Sequence, residues 1–222
     1  MPRQLRTIID KLPLLDELFS SERIRLCRGH LFDVEAVPKS REFDFDRIDG
    51  MLLGLAIGDA LGNTSESQTP ADRFRRHGEI RDYLFHPYGG DRRGYPSDDT
   101  QLAFWTLEHL IEHEGLVPEA LAERFAREHI YGIGSTVREF LQQHKAGVPW
   151  FEAGPASAGN GALMRIAPML VPHLRRGGRG LWADTAIAVM LTHNDRASTS
   201  ACPALLASLC GALDMTPPPR PR

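Results

Sequence analysis

The chain is poor in cysteine, has no excess of positive charge, and contains neither a long apolar run nor a stretch of strand-like alternation. Its three cysteines, Cys27, Cys202 and Cys210, make neither an even disulfide framework nor a metal-type spacing. The start, Met1-Pro2-Arg3-Gln4, lacks the apolar core of a signal peptide, so a reducing, cytoplasmic setting is expected. The most hydrophobic run, Met51 to Ile57, is too short and too broken by glycine to cross a bilayer, so no membrane segment is expected. A formal net charge of -3 argues against nucleic acid or an anionic membrane as a partner, since both attract basic surfaces. The lack of period-two alternation predicts an all-α, compact multi-helix fold.

What is present is an ordinary globular composition: 222 residues, 42% hydrophobic and 25% charged, enough for one large domain with a sizeable core. The stretch Ser97-Asp98-Asp99-Thr100-Gln101 organises the reading. Pro96 disfavours helix in the residue before it, and Ser97 is a good N-cap. Leu102, Trp105, Leu107, Leu110 and Ile111 recur behind it at helical spacing, so both carboxylates fall in a first helical turn. Two readings stay open from these residues alone. One is capping, at roughly 1 kcal/mol. The other is a hard divalent cation, because four consecutive oxygen-bearing side chains exceed what a cap needs. Two like charges at ~4 Å also repel by about 4 kcal/mol at the effective dielectric of a protein.

Residues 1–45 differ in character from the rest, with an amphipathic stretch from Thr7 to Phe19 interrupted at Pro13. They read as an N-terminal extension, either an arm packed on its own domain or one that docks a partner protein. From Arg47 to Leu61, glycines at 50, 54, 58 and 62 fall along one helical face, which predicts a central helix closely approached by another backbone. Gly62 is its stop, and Glu66 lies in the polar loop beyond. Residues 67–96 read as a long loop with one helix near Pro70 to Arg76, placed to line a cleft. Helices follow at Pro118 to His129 and Val137 to His144, and His109, His113, His129 and His144 read as surface histidines.

In Ala156-Ser157-Ala158-Gly159-Asn160-Gly161, two glycines flank an asparagine ahead of a helix expected over Ala162 to Leu170. Such a loop brings backbone N–H groups to a helix N-terminus, a site for phosphate, with a plain turn as the alternative. Arg165 would then reach an anion or close a salt bridge. Helices from Leu181 to Leu191 and from Ala197 to Leu213 flank Thr192-His193, and residues 214–222 form a Pro/Arg-rich tail.

Taken in order, four pieces resemble the ADP-ribosylglycohydrolase family, of the dinitrogenase-reductase-activating glycohydrolase type. They are Gly58-Asp59-Ala60-Leu61-Gly62 with Glu66, Ser97-Asp98-Asp99-Thr100, Gly159-Asn160-Gly161-Ala162 with Met164-Arg165, and Thr192-His193. The resemblance covers residues 47–213, within a domain drawn at 46–213. It implies a metal-dependent hydrolase that removes ADP-ribose from arginine or serine side chains of modified proteins, using two Mg2+ or Mn2+ ions. It also implies Ser97, Asp98, Asp99 and Glu66 as metal ligands, with Asp98, Asp99 and Glu66 the catalytic carboxylates. By the same resemblance Ser157, Gly159, Asn160, Gly161 and His193 bind ADP-ribose. Oxygen-only ligands suit hard cations, which tips the Ser97 to Thr100 stretch towards a metal site.

One departure stands out. The family's late Asp-x-Asp-Thr or Asp-x-Asp-Ser segment has no counterpart, because only Asp214 follows Asp195 and the single Asp-x-Asp, at Asp44 and Asp46, precedes the domain. The expectation is a chain without the family's last portion, with the second metal site in doubt and little hydrolysis. The rival reading is an ADP-ribose-binding or immunity-type protein that neutralises an ADP-ribosylating toxin, partly through its N-terminal extension.

Overall fold

A computed structural model describes residues 11–26 and 28–215. The start of the Thr7 to Phe19 stretch, Cys27 and the proline tail from Thr216 lie outside the described residues. The described residues are helical, with two isolated β-bridges, Ala36 to Gly178 and His86 to Asp91, and no strand. The helices are α1 (Leu12–Ser20), α2 (Asp46–Gly62), α3 (Pro70–His77), α4 (Asp98–Glu112), α5 (Pro118–Arg127), α6 (Ser135–Lys145), α7 (Trp150–Ala153), α8 (Gly180–Met190) and α9 (Arg196–Asp214).

The centre of the molecule is α8, not α2. From Leu181 to Met190 every residue of α8 is buried, as befits a helix that is apolar on all sides. It packs on α9, on α1 and on the 3-10 segment Ala167–His173, which in turn packs on α4. The expected central role of α2 is overturned by its orientation. Ile48, Leu52 and Ala60 are buried, four and eight residues apart on one face. The glycines at 50, 54 and 58 are displaced by two residues, about 200° around the helix, and so lie on the opposite face. A Cβ at any of Gly50, Gly54, Gly58 or Gly62 would meet nothing within 4 Å, and Leu53 and Ile57 beside them are exposed. Gly62 does not stop the chain either, which continues as a 3-10 turn over Asn63–Ser65 and carries Glu66 just beyond it.

The segment before α2 packs on the domain. Pro13 starts α1 rather than interrupting it, and Leu15, Leu18, Ile24 and Phe32 join the same core as α8. Asn194 ties it further, accepting from the Arg25 N–H at 2.8 Å and donating to the Arg23 carbonyl at 2.6 Å. Two other expectations fail. Residues 162–170 form no α-helix but two 3-10 segments, Leu163–Arg165 and Ala167–His173, because Pro168 and Pro172 lack the N–H groups an α-helix would use. The glycine loop therefore does not open an α-helix. His109 is a core residue, buried at the end of α4, where its Nε2 accepts the Val117 N–H at 3.1 Å.

Candidate active site

At the N-terminus of α4, capping and charge are divided between different residues. Ser97 is the N-cap, its Oγ accepting the Asp99 N–H at 3.3 Å. The Ser97 and Thr100 groups of the turn are satisfied by Asp59, from the last turn of α2. Its Oδ2 accepts the Ser97 N–H at 2.8 Å, the Thr100 N–H at 3.2 Å and the Thr100 hydroxyl at 2.6 Å. Its Oδ1 accepts the Ser97 hydroxyl at 2.7 Å and the Asn63 amide at 3.2 Å. Asp98 and Asp99 are thus surplus to the cap. Nothing local in the sequence assigns this role to Asp59, because an aspartate in the last turn of a largely apolar helix carries no signal of what it will meet.

The surplus carboxylates sit uneasily. Burial, then the charge of Asp99, pushes Asp98 from its ordinary 3.8 up to about 6, against hydrogen bonds from backbone N–H groups including that of Gly134. Asp99 is also raised, by burial, then by Asp59 and Glu66. Glu66, exposed on the turn after α2, adds to both. Crowded, partly buried carboxylates with oxygen-only neighbours are the donor chemistry that suits a hard cation. Their placement is less complete, since among the described residues no group of three His, Cys, Asp or Glu side chains stands close enough to hold a metal ion.

The second half of the site is the loop from Ser157 to Gly161. The Ser198 hydroxyl, in α9, lies 2.9 Å from the Ser157 carbonyl and 3.0 Å from that of Gly159. The Ser157 hydroxyl lies 2.9 Å from that of Thr136 and accepts the Gly159 N–H at 3.2 Å. Gly159 and Asn160 are exposed above His193, which is buried. A Cβ at Gly161 would lie 2.7 Å from His193 Cε1 and 3.0 Å from Nε2, and one at Gly159 would lie 3.5 Å from Nε2. Glycine is required at 161 so that the backbone can pass over the imidazole. Burial, then Arg165, lowers His193 to about 4.

Two connections join the halves. A cavity of about 360 Å³ runs between Met51 and Leu55 of α2 and Leu205 and Leu209 of α9, and both Asp99 and Asn160 open onto it. The segment Gly132 to Val137 spans the rest. Gly132 lies beside Asp98 and the Gly134 N–H acts on that carboxylate. Farther along, Thr136 meets Ser157, and a Cβ at Gly161 would lie 3.6 Å from Val137. Sequence reasoning missed this bridge, although Gly132-Ile133-Gly134-Ser135-Thr136 carries a glycine and hydroxyl signal of its own. The loop of residues 67–96, expected to line a cleft, contributes nothing to this cavity. A larger cavity of about 700 Å³ lies at the far end of α4, between α5 and α6, and contains none of the expected site residues.

A family model described as ADP-ribosylglycohydrolase matches residues 40–220. A protein of Archaeoglobus fulgidus is 32% identical over 177 residues, covering 77% of this chain and 57% of the relative. The ADP-ribosylarginine hydrolase Tri1 of Serratia proteamaculans is 31% identical, covering 75% of this chain and 46% of that one. The ADP-ribosyl-[dinitrogen reductase] glycohydrolase of Rhodospirillum rubrum is 30% identical, covering 71% and 54%. A solved ADP-ribosylglycohydrolase-related protein complex superposes with a TM-score of 0.60 at 31% identity, covering 78% of this chain and 58% of that one. The chain spans about half the length of the curated relatives it matches. With the family model covering most of its length, and with Asp99 and Asn160 opening onto one cavity, the chain belongs to the ADP-ribosylglycohydrolase family.

Proposed function

We propose that this protein is a hydrolase that removes ADP-ribose from modified protein side chains, with arginine the favoured acceptor over serine. The observation that carries the reading is the shared cavity, which brings Asp99 and Asn160 together from stretches some sixty residues apart in sequence. The arginine linkage draws support from the relatives named as ADP-ribosylarginine hydrolases.

In this reading the loop of Ser157, Gly159, Asn160 and Gly161 holds the diphosphate and ribose through backbone N–H groups, and His193 contacts a ribose oxygen. Asp98, Asp99 and Glu66 stabilise the positive charge that develops at the anomeric carbon as the bond to the side-chain nitrogen breaks. Ser97, Asp98, Asp99 and Glu66 would hold Mg2+ or Mn2+. Such an ion, when bound, supplies Lewis acidity for the ribose hydroxyls and for water.

A second reading has one observation in its favour. The absence of three grouped metal-ligating side chains among the described residues fits a protein that binds ADP-ribose with little hydrolysis. Docking of an ADP-ribosylating toxin by residues 1–45 gains no such support, since the buried apolar side chains of α1 are committed to the core. The deciding assay incubates the protein with ADP-ribosylated arginine substrates in millimolar Mg2+ or Mn2+ and measures free ADP-ribose, beside calorimetric titration with ADP-ribose. Release that Asp99→Asn abolishes supports the hydrolase. Binding without release selects the second reading, and neither binding nor release refutes both.

A further inference from the structure

Arg165 is fully buried, yet it forms no ion pair with any described carboxylate. Its Nη2 donates to the Ala188 carbonyl at 2.8 Å and to the Thr192 hydroxyl at 2.7 Å, and its guanidinium lies 5.1 Å from the centre of the Phe125 ring. Its Nε and Nη1 have no hydrogen-bond partner. A buried, uncompensated guanidinium is costly, and an apolar side chain of similar volume would pack against Phe125 without that cost. Packing alone therefore does not explain an arginine here.

Its one side-chain hydrogen bond, to Thr192, supplies the explanation. A guanidinium only donates, so the Thr192 oxygen must accept from Arg165, which leaves the hydroxyl proton free for another acceptor. His193 Nδ1 stands 2.9 Å from that oxygen and accepts its proton when the ring carries its own hydrogen on Nε2. An Nδ1 that accepts leaves the ring proton on Nε2, the atom that faces the glycine loop. We propose that Arg165 and Thr192 are positioning residues that fix His193 as the Nε2–H tautomer, making it a standing hydrogen-bond donor to an oxygen of the ligand held by the Ser157–Gly161 loop.

This rests on the reading of that loop as the ADP-ribose site. Burial, then Arg165, opposes protonation of the imidazole and outweighs Asp195, which favours it, so the ring stays neutral down to about pH 4. The donor therefore persists across the physiological range without carrying charge. Chemically, the relay selects an acceptor, a hydroxyl or phosphate oxygen, at the position over Nε2.

The test is nitrogen NMR of the protein labelled with 15N-histidine, with the His193 signals assigned through His193→Gln. The wild type is expected to show a protonated Nε2 and an unprotonated, accepting Nδ1. Thr192→Val, which removes the hydroxyl at nearly constant volume, is expected to give mixed tautomers and to weaken ADP-ribose binding roughly tenfold. Thr192→Ser is expected to restore both. A wild type protonated at Nδ1, or a Thr192→Val protein with an unchanged tautomer, overturns the proposal. Should the wild type show the expected tautomer and its response to Thr192→Val but bind no ADP-ribose, the ligand reading fails while the positioning relay stands. Arg165→Met is a second variant, and the threonine pair decides the matter if that one does not fold.

Discussion

Replacing Asp98 by asparagine separates a carboxylate kept for function from one kept for capping, because the two roles predict opposite signs. Asp98 is 8% exposed and its acidity is weakened from an ordinary 3.8 to about 6. A shift of roughly 2 units corresponds to about 3 kcal/mol by which the ionised folded state is disfavoured near neutral pH. Against this, a carboxylate in the first turn of α4 gains about 0.3–1 kcal/mol from the helix dipole, which asparagine would forgo. The balance is a gain of about 2 kcal/mol for Asp98→Asn at pH 7.5, or about 4–8 °C in Tm for a chain of this size. A cap function predicts instead a loss of about 1 kcal/mol.

The pH dependence supplies the control. Between roughly pH 4 and 6 the folded protein holds a proton on Asp98 that the unfolded chain has already released, so the folded state is favoured as pH falls through 6. The wild type should therefore approach the stability of Asp98→Asn on acidification, and the difference between the two should vanish near pH 4. Millimolar Mn2+ should raise the Tm of the wild type more than that of the variant, because the cation relieves the same repulsion. Differential scanning calorimetry at pH 7.5, 5 and 4, with and without metal, measures all of this. A variant that melts below the wild type at pH 7.5 would refute the reasoning and return Asp98 to the cap.

Asp59→Asn should destabilise the protein by about 2 kcal/mol, since an amide cannot accept both the Ser97 and Thr100 groups that the carboxylate now receives; urea denaturation measures it, and an unchanged midpoint would count against the assignment. Gly161→Val should abolish ADP-ribose binding in a calorimetric titration, because its Cβ would begin 2.7 Å from His193 Cε1. Gly159→Ala, with Ser157 Oγ at 3.3 Å, should weaken binding far less, and equal effects would show that the imidazole contact is irrelevant. His109, lowered to about 4 by burial, then by His113 and Arg124, stays neutral in the folded state while the unfolded chain protonates. Stability is therefore lost at up to about 1.4 kcal/mol per unit as pH falls from 6.5 towards 4, and His109→Gln should remove that component in acid melts.

The parts of the fold legible in the sequence were those written locally. Ser97 caps α4 as expected, and Pro70 and Pro118 open α3 and α5. The errors arose where a pattern has two solutions that only tertiary packing separates. A glycine every fourth residue marks a face of α2 but not whether that face turns inward, and the competing stripe of Ile48, Leu52 and Ala60 took the core. In Ala162 to Leu170 the apolar period favoured an α-helix, and the missing N–H groups of Pro168 and Pro172 prevailed over it.

The candidate site was legible as residue types and opaque as a network, for the same physical reason. Ser97, Asp98, Asp99 and Thr100 announce themselves because four adjacent oxygen-bearing side chains exceed the needs of a cap, whereas Asp59 acts from 38 to 41 residues away in a helix that shows no local need for it. Thr192 and Arg165 are a stronger case. Neither names its partner in the sequence, and they meet in a 2.7 Å contact across twenty-seven residues, at a hydroxyl that also stands 2.9 Å from His193 Nδ1. Carboxylates that repel one another and a guanidinium with unpartnered nitrogens are both stability losses, the first beside the cavity that Asp99 lines and the second one hydroxyl away from the histidine under the glycine loop. Proteins tolerate such losses where a ligand offsets them, which is why these two, rather than the capping residues beside them, carry the reading of the site.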